Sequence, residues 1–196
     1  MLAILAWGCE TSDGGGATPG PPETTLLVTG TLPLDATSAT AVFGASTCQV
    51  AGASVGVAHA VLVASDQAGF CGYLQQGQDR AGRRSIEVTV VRVDPTSPTT
   101  SLAADTYPIV SSPSLASSYA LLVVSDHDAA CQPVDVTGTS GVVFVTSADP
   151  LQGSIWATLS DGGRVIGPFD AGTCAAALAG DACAGSVGLS ISTCAP

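Results

Sequence analysis

Seven cysteines, at positions 9, 48, 71, 131, 174, 183 and 194, are the residues with most capacity for chemistry in this chain. A thiolate can ligate a metal or act as a nucleophile, and two thiols in an oxidising compartment become a cross-link. Spacing decides among these uses. Zinc sites draw on closely spaced pairs such as C-x-x-C, and the sequence has none. A reactive thiol needs a basic neighbour to lower its pKa. Of the two histidines, His127 alone lies near a cysteine, Cys131. The six cysteines from Cys48 to Cys194 are an even, scattered set, which reads as three disulfides formed outside the reducing cytosol, with Cys9 left over.

Other polar residues offer less. Asp126-His127-Asp128 is the most polar cluster. Its oxygens suit calcium and its imidazole a general base. It lacks the spacing and turn glycine of an EF-hand, so it reads as a solvated turn. Asp79-Arg80-Ala81-Gly82-Arg83-Arg84 holds three of the five arginines. Arg80, Arg83 and Arg84 are weak candidates for meeting an anionic glycan, a lipid head group or an acidic partner, as are Asp126 and Asp128 for binding. The simpler reading of the arginine segment is a solvated loop paired with Asp79. His59 falls inside a strand pattern and reads as packed. No G-x-S-x-G elbow is present, and of three glutamates two precede residue 24, so no carboxylate pair stands out. No catalytic residue, metal site or cofactor is expected.

The leftover cysteine has a context. Met1 to Trp7 is uncharged and apolar, far short of the roughly 20 residues that a spanning helix needs. It fits the apolar core of an export signal, truncated at its start because the usual basic region is missing. Ala6-Trp7-Gly8-Cys9 resembles a bacterial lipobox, with Trp7 where that pattern has a small or hydroxyl residue. The resemblance implies cleavage before Cys9 and transfer of a diacylglycerol to its thiol. Each buried CH₂ of such a lipid is worth about 0.8 kcal/mol. Residues 1–8 are then a signal peptide, 9–24 a lipidated cysteine and tether, and 25–196 one disulfide-braced domain.

Composition supports that division. There is no lysine, and a net charge of −11 argues against nucleic acid as a partner. It equally disfavours a purely electrostatic hold on anionic lipid, which leaves a covalent anchor as the membrane partner. The segment ETSDGGGATPGPPET from Glu10 to Thr24 has no large apolar side chain to bury and reads as a flexible tether. Beyond it, valine and threonine dominate short segments punctuated by glycine and proline.

The elements that must position the cysteines are strands. Period-two alternation predicts them over Thr25–Leu34, Ala39–Gly44, Ser54–Ser65, Ser85–Val93, Thr106–Ser111, Ser117–Asp126, Val136–Ser147, Leu151–Ser160, Arg164–Asp170 and Val187–Ser192. Asp66–Arg84 reads as a long loop carrying Cys71, and Ala175–Gly180 as a short helical turn. Asp161-Gly162-Gly163 is a hairpin signal. Nine or ten short strands without βαβ alternation predict an all-β fold, an antiparallel β-sandwich or barrel. Tyr107 and Trp156 read as core, and Phe70 as the cover of a disulfide. Val61–Asp66 leading to Cys71 is echoed sixty residues later by Leu121–Asp126 leading to Cys131; buried strands ending in a Ser-Asp turn account for the likeness.

Pairing is less constrained. Cys174 and Cys183 flank the predicted short turn and are the first expectation. A meander from Val136 to Asp170 separates Cys131 from Cys174, and the closing strand Val187–Ser192 carries Cys194 back to the end where Cys131 sits, which allows that pair. Cys48 with Cys71 remains, and Cys71 with Cys131 is its rival.

Ser140-Gly141-Val142-Val143, Gly153-Ser154, Asp161-Gly162 and Gly167-Pro168-Phe169-Asp170-Ala171 with Cys174 resemble the C-terminal half of predicted lipoproteins of myxobacteria-like genomes. Asp105-Thr106-Tyr107 and Cys131 fit loosely, and the Cys183–Cys194 tail departs from the pattern. The resemblance implies a secreted, lipid-anchored β domain of the cell envelope, at the outer membrane or periplasmic face, and brings no activity. The expected function is therefore a non-catalytic envelope domain for structure or interaction. A carbohydrate- or peptide-binding sandwich is the alternative, and a secreted hydrolase is a distant third.

Overall fold

The computed structural model describes residues 23–195. It is almost entirely β, and ten of its strands form one continuous mixed sheet that folds over on itself into a sandwich. Strands β1 (Leu26–Thr29), β2 (Leu34–Ala36), β7 (Asp105–Pro108), β10 (Leu151–Leu159) and most of β9 (Pro133–Ala148) and β11 (Arg164–Thr173) make the first layer, in the order β2-β1-β11-β10-β9-β7. Strands β3 (Ser38–Val50), β4 (Ala53–Ser65), β6 (Arg84–Asp94) and β8 (Tyr119–His127) make the second, in the order β3-β4-β6-β8.

Two long strands join the layers. β9 pairs with β8 through Pro133–Thr137 and with β10 from Gly138 onward. β11 pairs with β10 up to Ala171, then lies parallel to Thr40 and Ala41 of β3. That parallel contact departs from the all-antiparallel expectation; it arises because β11 continues past the hairpin and crosses to the other layer. The core lies between the layers, where Leu62, Val88 and Leu122 meet Ile155, Val165 and Phe169.

The outer faces of the two layers differ. In β10, Leu151, Ile155, Ala157 and Leu159 point inward and are buried, while Trp156 and Thr158 point out and are exposed. In β4 every residue from Val55 to Ser65 is buried. The second layer therefore has a third layer on its back. This cover consists of helix α1 (Phe70–Gln75), strand β5 (Gln78–Arg80), the hairpin β12 (Leu178–Asp181) and β13 (Ser186–Leu189) with a 3₁₀ turn (Ala182–Ala184) between them, and β14 (Thr193–Ala195), which lies parallel to β5. Val42, Val61 and Val63 pack on Phe70, Leu74 and Cys174; Val57, Val91 and Tyr119 pack on Ala182.

Several segments differ from expectation for physical reasons. The first predicted strand, Thr25–Leu34, breaks into β1 and β2. Thr31 donates both its N–H and its Oγ1 to Asp161 Oδ2, at 2.7 and 2.6 Å, and this bends the chain at Gly30. The loop Asp66–Arg84 contains α1 and β5, because it has the sheet's apolar back to pack on. The helical turn expected at Ala175–Gly180 sits later, where Asp181 Oδ1 accepts from Cys183 N at 2.8 Å and caps the 3₁₀ turn. The echoed runs occupy β4 and β8, which flank β6 with Ser65 and Ser125 both opposite Ser85.

All six cysteines of the described residues are paired, and every pair fastens the cover. Cys48–Cys183 joins β3 to the 3₁₀ turn, Cys71–Cys174 joins α1 to the end of β11, and Cys131–Cys194 joins the β8–β9 turn to β14. The Cys131–Cys194 expectation holds. Cys174 with Cys183, Cys48 with Cys71 and Cys71 with Cys131 are not formed. After Cys174 the chain runs on across the back of the sheet instead of turning, which carries Cys183 to Cys48 and leaves Cys174 beside α1.

Candidate functional site

The uncovered face of the first layer carries a row of apolar side chains set by strand register. Leu27 on β1 is opposite Ile166 on β11, Ile166 is opposite Trp156 on β10, and Trp156 is opposite Val142 on β9. Phe144 lies diagonally from Trp156. Leu27 is 51% exposed, Ile166 43%, Trp156 62% and Phe144 42%. Side chains two residues apart share a face, so the same alternation that buries Ile155 and Ala157 expels Trp156. Trp156 is therefore not core, contrary to expectation, whereas Tyr107 is fully buried and donates to Ala103 O at 2.8 Å. The parity of β10 already held the signal; the size of tryptophan obscured it.

Backbones approach closely beneath these side chains. Gly141 has φ +127°, and a Cβ there would run into the Trp156 carbonyl oxygen. Gly167 has φ +139°, and a Cβ there would run into the Thr25 carbonyl oxygen. Only glycine lets β9 and β1 approach β10 and β11 so closely. Gly141, Val142, Phe144, Trp156, Thr158 and Arg164 line a shallow groove of about 410 Å³. Its polar side chains are Thr158 and Arg164, which lie opposite each other on β10 and β11.

The polar residues singled out in the sequence go elsewhere. Arg83 is buried at 2% exposure and is bidentate to Asp79, with Nε donating to Oδ1 at 2.7 Å and Nη2 to Oδ2 at 3.2 Å. Its guanidinium lies 4.3 Å from the centroid of the Phe70 ring. His127 Nε2 is 3.2 Å from the same Asp79 Oδ2. Arg83 is thus paired with Asp79, as the simpler reading of the segment has it, but buried instead of solvated, while Arg80 is half-buried and Arg84 exposed. Arg84 pairs with its cross-strand partner Asp126 at 3.1 Å. Arg80 lies 5.6 Å from the Tyr73 ring. Asp128 Oδ1 accepts from Ala130 N and Gln132 N at 2.8 and 2.9 Å, closing the turn that leads to Cys131. Asp126 and His127 belong to β8 and not to a loop.

Two further titratable groups, the half-buried Glu87 and the buried His59, lie on the covered layer. Burial pushes the Glu87 carboxyl above its ordinary range; Arg83 opposes this, and Asp135 and Asp79 add to it. Burial lowers the pKa of His59, whose Nδ1 has no partner and whose Nε2 lies against the α-carbon side of Gly44. Among the described residues no group of three or more His, Cys, Asp or Glu is placed to hold a metal ion, and no helix is long and apolar enough to cross a membrane. Three disulfides joining residues 135, 103 and 63 apart are what an oxidising, extracellular or periplasmic compartment permits.

The chain matches no family model, and comparison with curated proteins and with solved structures gives no match either.

Proposed function

We propose that the chain is an exported envelope protein, anchored through a lipid on Cys9, whose β domain works by contact and not by catalysis. The observation that carries this reading is the asymmetry of the two outer faces. One is sealed by a cover held with three disulfides; the other leaves Trp156, Phe144, Ile166 and Leu27 to solvent. Contiguous exposed apolar patches on stable domains mark surfaces that meet something. The address follows from the cysteines: six are consumed in cross-links, and Cys9 is the remaining thiol.

The test is expression in a Gram-negative host with and without Cys9→Ala. Wild type should fractionate with membranes and gain the mass of a diacylglyceryl group; the variant should be released. Equal fractionation of the two, with no mass gain, refutes the anchor. A saccharide-binding face is the second reading, favoured by the exposed indole among threonine hydroxyls.

A further inference from the structure

We infer that the row Leu27–Ile166–Trp156–Val142 rests on the surface of the bilayer that holds the lipid of Cys9, an inference that builds on the anchored reading above. The row is apolar across four strands, and on β2 the exposed Asp35, opposite Leu27, ends it with a carboxylate at the rim. Strands lie about 4.8 Å apart, so it forms an apolar strip roughly 15 Å wide. Tryptophan favours the membrane–water interface, where its ring is apolar on one side and its N–H reaches water. Thr158, Ser154 and Thr106 border the strip within one register step of Trp156 or Phe144; their hydroxyls are at the depth of lipid head groups.

The path of the chain selects the bilayer as the occupant. β1 is the first strand after the segment from Cys9, and it carries Leu27 at one end of the row. Thr25 N donates to Pro168 O at 3.0 Å, so the chain enters the sheet beside β11, two residues before Leu27. The fifteen residues 10–24 span at most about 55 Å. A lipid on Cys9 therefore keeps the strip within about one domain diameter of the membrane, and tethering of this kind raises the effective concentration to the millimolar range. Weak interfacial affinity is then enough. The opposite face is covered and cannot compete. A sugar site is less well served, because the neighbours of Trp156 along the row, Ile166 and Val142, offer no hydrogen bond.

Net charge sets the lipid preference. At −11 the protein is repelled by anionic head groups, and Arg164 is the one cation beside the strip among the described residues, so contact should be strongest on zwitterionic lipid.

The experiment uses the chain from Cys9 onward, in which Trp156 is the single tryptophan. Cys9, the thiol outside the three disulfides, is coupled through a maleimide to phosphatidylethanolamine in phosphatidylcholine vesicles. We expect a blue-shifted Trp156 emission, and severalfold quenching when the acyl chains are brominated. Ile166→Asp with Phe144→Asp should abolish both effects, while Val134→Asp, on the other layer, should leave them; circular dichroism and thiol titration confirm that each variant is folded and cross-linked. Absence of brominated-lipid quenching on the anchored protein overturns the inference. So does protection of Trp156 by soluble oligosaccharide but not by vesicles, or burial of Trp156 in a dimer in free solution. Because the anchor is attached chemically, lack of acylation in cells counts against the anchored reading alone, and lack of quenching counts against the face.

Discussion

Cys48 and Cys183 lie 135 residues apart in sequence and are bonded, with their Cα atoms 5.3 Å apart. The bond joins the middle layer to the 3₁₀ turn of the cover, over a cluster of Val55, Val57, Val91, Val93 and Tyr119. Closing so long a loop restricts the unfolded chain strongly, and loss of a native disulfide in a small secreted domain costs about 2–5 kcal/mol. Cys48→Ala with Cys183→Ala should lower the urea midpoint accordingly and expose this cluster to a hydrophobic dye. Trp156 emission should stay the same at low denaturant, because the first layer is not touched. A shifted Trp156 spectrum would mean that the cover and the open face are coupled.

The same bond marks the limit of what was legible in the sequence. Strand existence was readable, since Leu151, Ile155, Ala157 and Leu159 share one parity along a strand; the bulk of Trp156 on the other parity hid which face is outward. The even set of six cysteines was readable as three cross-links; Cys131–Cys194 was an allowed pairing, though Cys194 reaches it on β14 beside β5 and not on the expected closing strand Val187–Ser192. The other two pairs depended on where the chain goes after Cys174. Residues Ala175–Gly180 carry no strong pattern, so nothing local announced that they cross the back of a sheet. In β4 both parities are apolar and buried, Val55, Val57, Val61 and Val63 on one and Ala58, Ala60, Leu62 and Ala64 on the other. That double burial was the available sign of a third layer. Arg83 was hidden for a related reason: only a cover turns an arginine loop into a buried ion pair.

Arg83 gives the second prediction. Removing one partner of a buried pair leaves an uncompensated charge, which costs about 3–5 kcal/mol. Arg83→Met should therefore be strongly destabilising, because Asp79 would remain buried at 4% exposure. Arg83→Met combined with Asp79→Leu should recover part of that loss. Urea unfolding of the two variants checks the order. If the double variant is no more stable than the single, the pair is not the source of the cost.

Gly141 gives the third. Its φ of +127° is strained for any other residue, and the adjacent Trp156 carbonyl leaves no space for a Cβ. Strain of this kind costs about 1–3 kcal/mol before the clash is counted. Gly141→Ala should lower the urea midpoint clearly and broaden Trp156 emission. Gly162, at φ +84° with nothing within 4 Å of its added Cβ, is the control. Gly162→Asn should be close to neutral, since asparagine tolerates the left-handed region. Equal effects at the two positions would remove the close approach of β9 and β10 as the cause.

His59 gives the last, on pH. Its folded pKa lies below the ordinary value of 6.5 because burial disfavours the imidazolium. Gly44 and Val91 face it from the flanking strands, and Leu178, Ala182 and Val187 face it from the cover; none carries a charge. Between the folded value and 6.5 the unfolded chain binds more protons, so stability falls as pH drops through this window. Glu87 works in the opposite sense. Its folded pKa is raised above 4.5, so the folded chain binds more protons between 4.5 and the raised value, and falling pH favours folding there. Glu87→Gln removes that opposing trend. In this background, urea midpoints should fall from about pH 7.5 to about pH 5.5, and adding His59→Leu should flatten the slope. A slope that survives His59→Leu would place the titrating group elsewhere.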